Sequence, residues 1–488
     1  MHQFSLTSTF LYFIIALTLY FIWKRRRLYY CSFKHPGPFG FPLIGSAHLL
    51  TAGPAESYNT LMRIAQYSPV TRVWFGPFFY LFISKPGDVE ILLNKSVDKS
   101  IYYAKYLGDA LKTGLLISPP EIWKGRRKLI NQTFNSNVVN SFVPAFTKCA
   151  NCLADELDKV CKGTNDPPDL FDIIMKTYLN AGCETLADVR PDSLYNKEKF
   201  LATGYRYQKS VKYRFFKPHL NIDYFWKRSS LRKEQLEIGK VFEDFIKQVI
   251  AVKQSQPENK NSKKQFLNYL LEMNKQNNLT TDGLLEEGAL MLLAANDSTT
   301  PAVGSALVLL GMHPEIQEKV YQEISLLTDD TQDLTLECVN KMNYLERVIK
   351  ETIRIFPSVP FILRKIDEEI ELESYFVPAN CEILISISQL HRWPDIWPNP
   401  LKFDPDRFLP EEVEKRPRGA YLPFGAGARN CIGIKYAMLS MKVFLAVILK
   451  RFRILEAIDY KRVEDIEMDI FLFGIAKKGY RIRVEDRN

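Results

Sequence analysis

Near its C-terminus the chain places one cysteine between a glycine-rich turn and an apolar pattern with helical spacing. The apolar pattern runs from Ile434 to Leu445. A cysteine at the N-terminus of a helix lies at the positive end of the helix dipole, which lowers the pKa of its thiol and favours the thiolate. Because thiolates ligate metals, we predict that Cys431 is a metal ligand. The loop has the sequence Phe424-Gly425-Ala426-Gly427-Ala428-Arg429-Asn430-Cys431-Ile432-Gly433.

The composition of this loop argues against a purely structural cysteine. A buried cysteine in a turn would explain a lone Gly-x-Cys, but not phenylalanine, three glycines, arginine and cysteine at this spacing. Gly425 and Gly427 permit a tight turn, and Gly433 removes a side chain where a flat macrocycle can lie against the helix. Arg429 supplies a cation for a carboxylate on such a macrocycle, for example a haem propionate.

The loop resembles the haem-ligand loop Phe-x-x-Gly-x-Arg-x-Cys-x-Gly of the cytochromes P450. The resemblance implies a mainly α fold with small β-sheets, and haem b held by an axial thiolate from Cys431. It also places Phe424, Arg429 and Gly433 at the cofactor. The expected activity is that of a haem-thiolate monooxygenase, which inserts one oxygen atom of O2 into a lipophilic substrate with electrons from an NADPH-dependent reductase.

The composition fits one large enzyme and excludes several other classes of protein. Hydrophobic residues make up 46% of the 488 residues and charged residues 25%, as in an ordered globular chain. The net charge of +9 arises from 65 Lys and Arg spread among 56 Asp and Glu, without a basic tail or zinc-finger spacing, so no nucleic-acid partner is expected. Eight cysteines in so long a chain do not form a disulfide framework, which indicates a reducing compartment.

The N-terminus has the pattern of a membrane anchor. No charged side chain occurs from Phe4 to Trp23, and Lys24-Arg25-Arg26-Arg27 follows at once. The basic cluster predicts a single-pass helix in the endoplasmic reticulum membrane, with the catalytic domain in the cytosol. A cleaved signal peptide would have the opposite charge order and a small-residue cleavage site. We therefore expect an anchor at residues 1–27, a Pro/Gly-rich hinge at 28–48 and a catalytic domain at 49–488.

Within the body, apolar periodicity predicts many helices and few strands. Val70 to Ser84 is rich in aromatic and branched residues and is broken by Gly76-Pro77, which predicts a β-hairpin. A short strand is expected at Glu382 to Ile387. The predicted helices are Pro144–Val160, Lys233–Lys253, Leu284–Leu310, Pro314–Leu327 and Tyr344–Phe356.

Further segments match other family motifs. Glu351 and Arg354 stand at i and i+3 of a helix, where they can pair, although most such pairs are solvated surface pairs. The resemblance implies that they form a buried structural triad with Arg407. It also implies that Trp123 and Arg127, in a Trp-x-x-x-Arg pattern, and Arg364 contact haem propionates; the alternative for the first two is an exposed basic start of a helix.

The long helix carries a polar interruption that suits proton transfer. Asp297, Ser298 and Thr299 follow an apolar run, and beside a haem an acid and an alcohol can relay protons to bound dioxygen. Hydrogen bonding of the hydroxyls to the preceding turn is the alternative explanation. The segment departs from the family's Ala-Gly-x-Asp/Glu-Thr-Thr, because Ala295 replaces glycine and Ser298 replaces the first threonine. Pro301 is also expected to kink the helix.

The segment from His391 to Pro400 and the acids Asp404 and Asp406 most resemble the branch that contains fatty-acid ω-hydroxylases and insect detoxification enzymes. Some members of that branch bond haem covalently through a glutamate, which is not expected here because Ala294 is the aligned residue. The chain has no Gly-x-Gly-x-x-Gly motif for a flavin or nicotinamide, so electrons must come from a partner. The partners are a reductase, with cytochrome b5 as a further candidate. Basic residues suited to an acidic reductase are Lys124, Arg126, Lys128, Arg416, Arg418 and Lys435.

Two other functions fit a cysteine-ligated haem. A haem-thiolate isomerase or dehydratase would act on an oxygenated substrate without a reductase, and Asp297 with its neighbouring hydroxyls argues against it. A non-enzymatic haem-binding or sensor protein would need Cys431 but no relay. The substrate stays open among xenobiotics, fatty acids and hormone-like molecules, because the pocket is assembled from dispersed segments: Tyr103–Leu116, the Tyr205 region, Val359–Leu363 and Phe471–Ile475.

Overall fold

Helices form most of the protein, which the computed structural model describes at residues 2–41, 44–99, 101–256, 265–328, 334–470 and 472–487. The α-helices are α1 His2–Lys24, α2 Arg26–Lys34, α3 Ser57–Ala65, α4 Pro86–Lys95, α5 Ile101–Leu111, α6 Pro120–Asn131, α7 Ser136–Asn140, α8 Val143–Cys161, α9 Phe171–Thr185, α10 Lys197–Phe215, α11 Asp223–Arg228, α12 Ser230–Ser255, α13 Phe266–Lys275, α14 Thr281–Met312, α15 Pro314–Leu327, α16 Leu336–Lys341, α17 Asn343–Ile355, α18 Ile387–Leu390, α19 Pro410–Glu414 and α20 Ile434–Arg451. Short 3-10 helices lie at Ala47–Ala52, Pro54–Glu56, Gln132–Phe134, Pro191–Ser193, Pro218–Asn221, Pro405–Phe408 and Val463–Asp465.

The strands are short and form small sheets. In the four-stranded sheet the order is β1-β2-β6-β3, and β2 pairs with β6 in parallel while the other pairs are antiparallel. The predicted hairpin at Val70–Ser84 and the strand near Glu382 are both confirmed in this sheet. The strands are β1 Val70–Phe75, β2 Phe78–Ile83, β3 Phe361–Ile366, β4 Ile370–Glu371, β5 Phe376–Val377, β6 Cys381–Ser386, β7 Phe452–Ala457, β8 Met468–Ile470, β9 Gly474–Ala476 and β10 Ile482–Asp486.

The long helix α14 passes through the middle of the main hydrophobic core. Its residues are buried on nearly every side, which explains why leucine and alanine occur all around it rather than on one stripe. Thr280 caps its start, since the Thr280 hydroxyl accepts a hydrogen bond from the Gly283 N–H at 3.0 Å. The helix continues through Pro301 to Met312. Helices α9, α12, α17 and α20 pack around α14 and fix the segment that carries Asp297.

Helix α20 begins immediately after the cysteine loop and is anchored by helix packing. It lies against α8, α15 and α17, and Tyr436 near its start contacts Phe146 and donates to or accepts from the Thr185 hydroxyl at 2.9 Å. Its middle, from Leu439 to Leu449, is buried throughout. The loop that holds Cys431 is therefore mounted on a fully packed helix.

At the N-terminus, helix α1 is followed by α2, which includes the first residues of the segment expected to be a hinge. From His35 the chain is extended and lies on strand β1, where the Arg72 N–H donates to the Pro36 carbonyl at 2.9 Å. A side chain at Gly37 would collide with the backbone of Arg72, so only glycine fits this contact. In the described part of the chain, no helix is both long and apolar enough to cross a membrane, and the transmembrane helix predicted for residues 1–27 is not confirmed.

Candidate active site

The cysteine loop is closed by backbone hydrogen bonds around its glycines. The Cys431 N–H donates to the Phe424 carbonyl at 2.9 Å, and the Asn430 N–H donates to the Gly427 carbonyl at 3.1 Å. These bonds fold the chain into a tight turn directly before the first turn of α20 at Ile434. Cys431 keeps accessible surface although protein surrounds it, as expected for a ligand that faces an internal space. Gly433 leaves room beside the sulfur, because a Cβ there would lie 3.9 Å from Sγ.

Gly427 has a backbone conformation and surroundings that leave no room for a side chain. Its φ is +70°, and a Cβ would fall inside contact distance of the Leu93 backbone carbonyl. We expect Gly427→Ala to cost at least about 1–3 kcal/mol from the backbone conformation alone and to lower haem retention. Thermal unfolding and haem content of the purified variant measure both effects. Gly87→Ala is the matched control, since a Cβ at Gly87 meets nothing within 4 Å; equal losses in the two variants would contradict this role of Gly427.

The prediction of a lowered thiol pKa at Cys431 is wrong for the protein without its metal. Burial raises the pKa of the Cys431 thiol, and this outweighs the lowering by the Gly433 N–H, by the Arg127 guanidinium and by the Lys99 ammonium. The helix-dipole rule predicted the direction from the local sequence, whereas desolvation comes from the whole fold around the loop. Coordination to a cationic metal would favour loss of the thiol proton.

Two arginines fasten the cysteine loop to the rest of the protein. Arg127 on α6 donates from one Nη to the Asn430 carbonyl and from the other to Asn430 Oδ1, each at 2.8 Å. Arg429 donates to three backbone carbonyls, those of Val97, Leu115 and Ser118. The Arg429 guanidinium also lies 4.3 Å from the ring centre of buried Trp123. Trp123, Arg127 and Arg429 are thus brought together at the loop.

Positive charge accumulates here without a matching number of acids. Lys99, Arg127, Arg364 and Arg429 lie close enough to influence one another, and none forms an ion pair with a described carboxylate within 4.0 Å. Arg364 is 3% exposed and its Nε has no hydrogen-bond partner among the described residues. Burial, followed by the charges of Arg364 and Arg429, holds the pKa of Lys99 well below its usual range. Uncompensated buried cations are costly, and the two propionates of a haem would satisfy them.

The hydroxyls predicted to relay protons are bonded to the preceding turn of α14. Ser298 Oγ donates to the Ala294 carbonyl at 2.8 Å, and Thr299 Oγ1 donates to the Ala295 carbonyl at 2.5 Å. This is the alternative considered from the sequence, although each oxygen can still accept a hydrogen bond. Asp297 instead reaches Gln208 of α10, whose Nε2 donates to Asp297 Oδ2 at 2.9 Å. Burial raises the pKa of Asp297 to about 7, and the Gln208 hydrogen bond lowers it in part.

Comparison with known proteins decides the family. A family model described as Cytochrome P450 matches residues 35–484. The chain belongs to the cytochrome P450 family. Cytochrome P450 4V2 of Mus musculus is 33% identical over 84% of this chain and 82% of the relative, and cytochrome P450 4c3 of Drosophila melanogaster is 31% identical over 95% and 91%. A solved structure, a retinoic acid bound cyanobacterial CYP120A1, has a TM-score of 0.75 over 93% of this chain and 99% of that chain at 23% identity, which shows the common fold.

Membership of the cytochrome P450 family confirms the main expectations from the sequence. The chain is a haem-thiolate monooxygenase with haem iron as cofactor, and a reductase supplies its electrons. The mainly helical P450 fold with small sheets is confirmed, as is the likeness to the branch of P450 4 and insect enzymes. The donor set fits this cofactor, since a cysteine that faces an internal space lies beside a cluster of cations, of which Arg364 and Arg429 are buried.

In this P450 the residues of the expected structural triad lie together. Arg354 donates to both oxygens of Glu351, from Nε at 2.6 Å and from Nη2 at 2.8 Å, and Arg407 Nε lies 3.4 Å from Glu351 Oε1. Glu351 and Arg354 are fully buried. Arg354 also donates to the His391 carbonyl at 2.8 Å, and the Asp404 N–H donates to Glu351 at 3.0 Å. The triad therefore ties α17 to the segments on both sides of Trp397.

His391 connects this triad to the cysteine loop, a contact that no sequence motif predicted. Its Nε2 accepts a hydrogen bond from the Leu422 N–H at 2.9 Å, two residues before Phe424. Burial, followed by the charge of Arg354, lowers the pKa of His391 to about 3. The imidazole is therefore neutral at physiological pH with Nε2 as acceptor, which the contact to Leu422 requires. Lys99 and Gln208 were also missed, because no motif surrounds either residue.

An apolar pocket of the P450 collects the segments that were expected to line it. Residue 471, at the start of one predicted segment, lies outside the described residues. Lys212 is the charged residue among the side chains at the pocket, and its ammonium pairs with Asp469 at 2.5 Å. The lining residues are Ser57, Leu61, Tyr103, Tyr106, Leu107, Val211, Lys212, Phe215, Phe216, Pro360, Phe361, Leu363, Leu384, Ile470 and Leu472.

Two of the six basic residues expected to face a reductase are engaged within the protein. Arg126 pairs with Glu286 at 3.0 Å and Glu287 at 2.9 Å, with 12% of its side chain exposed. Arg416 stacks 4.5 Å from the Trp397 ring centre and donates to the Arg407 carbonyl at 2.6 Å. Both serve internal packing, so the proposed docking set is reduced to the four exposed residues Lys124, Lys128, Arg418 and Lys435.

Proposed function

We propose that this monooxygenase hydroxylates a lipophilic molecule held by the aromatic and aliphatic side chains of the pocket, and that Cys431 is the thiolate that would hold the haem iron. The observation that carries the proposal is an apolar pocket bounded by α10, on which Gln208 also contacts the acid Asp297 of α14. The bound haem supplies the activation of dioxygen. Apolar lining gives affinity through the removal of hydrocarbon surface from water, and it leaves the reaction site dry.

The cation cluster is proposed to hold the cofactor. Arg364 and Lys99 have no carboxylate partner, so their charges are available to the propionates, while Arg127 and Arg429 hold the loop and add to the positive potential. Trp123 supports Arg429 from its ring face. The Phe424 carbonyl accepts the hydrogen bond from the Cys431 N–H that closes the loop, and Gly433 keeps the space beside the sulfur open.

Proton delivery is assigned to Asp297 with either Ser298 or Thr299. A carboxyl whose pKa is about 7 both gives and takes a proton near neutral pH, which is what a relay needs. The Ser298 carbonyl accepts a hydrogen bond from the Ser358 hydroxyl at 2.7 Å, which holds this turn of α14 in place. The acid and hydroxyls favour oxygenation over isomerisation of an oxygenated substrate, since isomerisation consumes no protons from solvent.

The relay is tested in the purified enzyme reconstituted with its reductase and a panel of lipophilic compounds. We expect Asp297→Asn to lower product formation by about a hundredfold, the lower range for loss of a general acid. Either Ser298→Ala or Thr299→Ala, made separately, should lower product per NADPH and raise hydrogen peroxide. Unchanged coupling in both hydroxyl variants would contradict the assignment, and product without reductase or NADPH would reject the monooxygenase.

We also propose that the chain is anchored to the endoplasmic reticulum membrane, with its catalytic domain in the cytosol. In support, α1 exposes large apolar side chains from Phe10 to Trp23 and is followed by a basic cluster. Co-flotation with anionic lipid vesicles, lost on removal of residues 1–27, is the expected result. On the cytosolic side, Lys124, Lys128, Arg418 and Lys435 are proposed to dock the reductase, and cytochrome b5 as a second acidic donor.

A further inference from the structure

We infer that Gln208 is a positioning residue for the relay acid Asp297, so that the helix bounding the substrate pocket also holds the proton-delivery group. This inference rests on the relay proposed above. Val211, Lys212 and Phe215 of α10 line the pocket, and Gln208 lies on the same face of the helix, one turn before Val211 and Lys212 and two turns before Phe215. Its amide N–H reaches across to Asp297 Oδ2 on α14 at 2.9 Å.

The relay segment itself offers Asp297 no alternative support. The hydroxyls of Ser298 and Thr299 donate to backbone carbonyls one turn back, and Thr300 donates to Asn296 Oδ1 at 3.3 Å. None of these donors is directed at the Asp297 carboxyl. Among the described residues, the hydrogen bond that fixes this carboxyl therefore comes from a different helix, and Gln208 is its source.

Gln208 is itself buried in a way that suits this task. The residue is 4% exposed, and its Oε1 has no hydrogen-bond partner among the described residues. An amide with one end unsatisfied is unfavourable in a core, and leucine of similar size would pack there without that cost. The donated bond to Asp297 is the contact that a leucine cannot supply.

Electrostatics give this contact a measurable direction. Two influences act on the pKa of Asp297: burial raises it by disfavouring the carboxylate, and the Gln208 N–H lowers it by favouring the carboxylate. On α10, Arg206 and Lys209 flank Gln208 in sequence but are exposed, and Lys212, one turn further along, has its ammonium paired with Asp469 of β8. From the segment before β3, the neutral Ser358 hydroxyl bonds the adjacent carbonyl. Without the amide, burial is unopposed and Asp297 keeps its proton to higher pH.

The test is an infrared titration of the Asp297 carboxyl in the haem-loaded enzyme. The carbonyl band of the protonated acid is assigned by its absence in Asp297→Asn, and its midpoint is followed with pH. We expect a midpoint near 7 in the parent enzyme and a rise of roughly one pH unit in Gln208→Leu, since a hydrogen bond to a charged group is worth at least a tenfold change in ionisation. Gln208→Lys should lower the midpoint, because a cation favours the carboxylate.

Gln235→Leu is the matched control. Gln235 on α12 is also a buried amide with an unpaired Oε1, but its Nε2 donates to the Tyr106 carbonyl and to Ser210 Oγ instead of to Asp297. The titration midpoint of Asp297 in Gln235→Leu should equal that in the parent enzyme. An unshifted midpoint in both Gln208 variants would overturn the inference, as would an equal shift in Gln235→Leu. If one Gln208 variant does not fold, the other still has a predicted direction for the shift of the Asp297 midpoint.

The same variants separate this inference from the proposed relay. In turnover, the pH at which product per NADPH declines should move upward in Gln208→Leu together with the infrared midpoint. If Asp297→Asn leaves coupling unchanged, the relay is rejected, yet a shifted midpoint in Gln208→Leu still establishes that Gln208 holds the carboxyl. If Asp297→Asn uncouples the enzyme but the midpoint does not move in either Gln208 variant, the relay stands and the role of Gln208 is rejected.

Discussion

Replacing Cys431 with serine is expected to abolish the thiolate-type spectrum and all monooxygenase turnover. The variant keeps nearly the same side-chain volume, but a serine hydroxyl does not give the iron a soft anionic ligand. The reduced protein with carbon monoxide should therefore lose the red-shifted Soret band. Product formation with reductase and NADPH should fall to the background of the assay. Spectra and turnover are both recorded at equal haem content, so that loss of cofactor does not imitate loss of the ligand.

Cys152→Ser provides the control for this result. Cys152 is an exposed cysteine on α8, so the substitution changes a thiol without touching the loop. It should leave the spectrum and the turnover as they are in the parent. A thiolate-type band that persists in Cys431→Ser, or that disappears in Cys152→Ser, would show that a sulfur other than Cys431 binds the iron.

Elements stabilised by local sequence were predicted closely. Helix α15 has the bounds expected from its pattern, Pro314–Leu327, because a proline at its first turn and apolar periodicity mark both ends. Helix α14 extends three residues before the predicted Leu284, where Thr280 caps it. The parallel pairing of β2 with β6 joins residues about 300 positions apart, and no local signal specifies such a partner.

The site was predicted where one motif carries it and missed where dispersed segments build it. The loop around Cys431 lies within one short stretch whose residue types and spacing are specific, whereas the spacing of Glu351 and Arg354 alone is a weak signal and their burial was expected from the family resemblance. Lys99 joins the cation cluster, and Gln208 joins Asp297, only through tertiary packing. The predicted direction of the Cys431 thiol pKa was wrong for the same reason. The position of Cys431 before a helix can be read from the local sequence, whereas its desolvation depends on the entire fold.

The buried triad gives the largest expected effect on stability. Glu351→Gln keeps the shape of the side chain but removes its charge, which leaves Arg354 fully buried without a counter-ion and Arg407 without its partner. Breaking a buried ion pair in this way costs about 3–5 kcal/mol, far more than the pair contributes relative to apolar residues. Because Arg354 also holds the His391 carbonyl, and His391 holds Leu422 at the cysteine loop, haem should be lost at lower urea than in the parent. The measurement is urea unfolding followed by far-ultraviolet circular dichroism and by Soret absorbance.

Two further variants show whether this loss is specific to the triad. Glu337→Gln removes the charge from an exposed i,i+4 pair with Lys341 on α16, and it should shift neither transition, since exposed pairs contribute little. Arg354→Lys retains a cation but cannot form the two parallel hydrogen bonds that the guanidinium makes to Glu351, so it should be destabilised nearly as much as Glu351→Gln. If Arg354→Lys instead unfolds at the same urea concentration as the parent, charge alone stabilises α17 and the planar geometry of the arginine is irrelevant. If Glu351→Gln unfolds with the parent, the carboxylate does not connect α17 to the haem side, and the cysteine loop must be held by Arg127 and Arg429 alone.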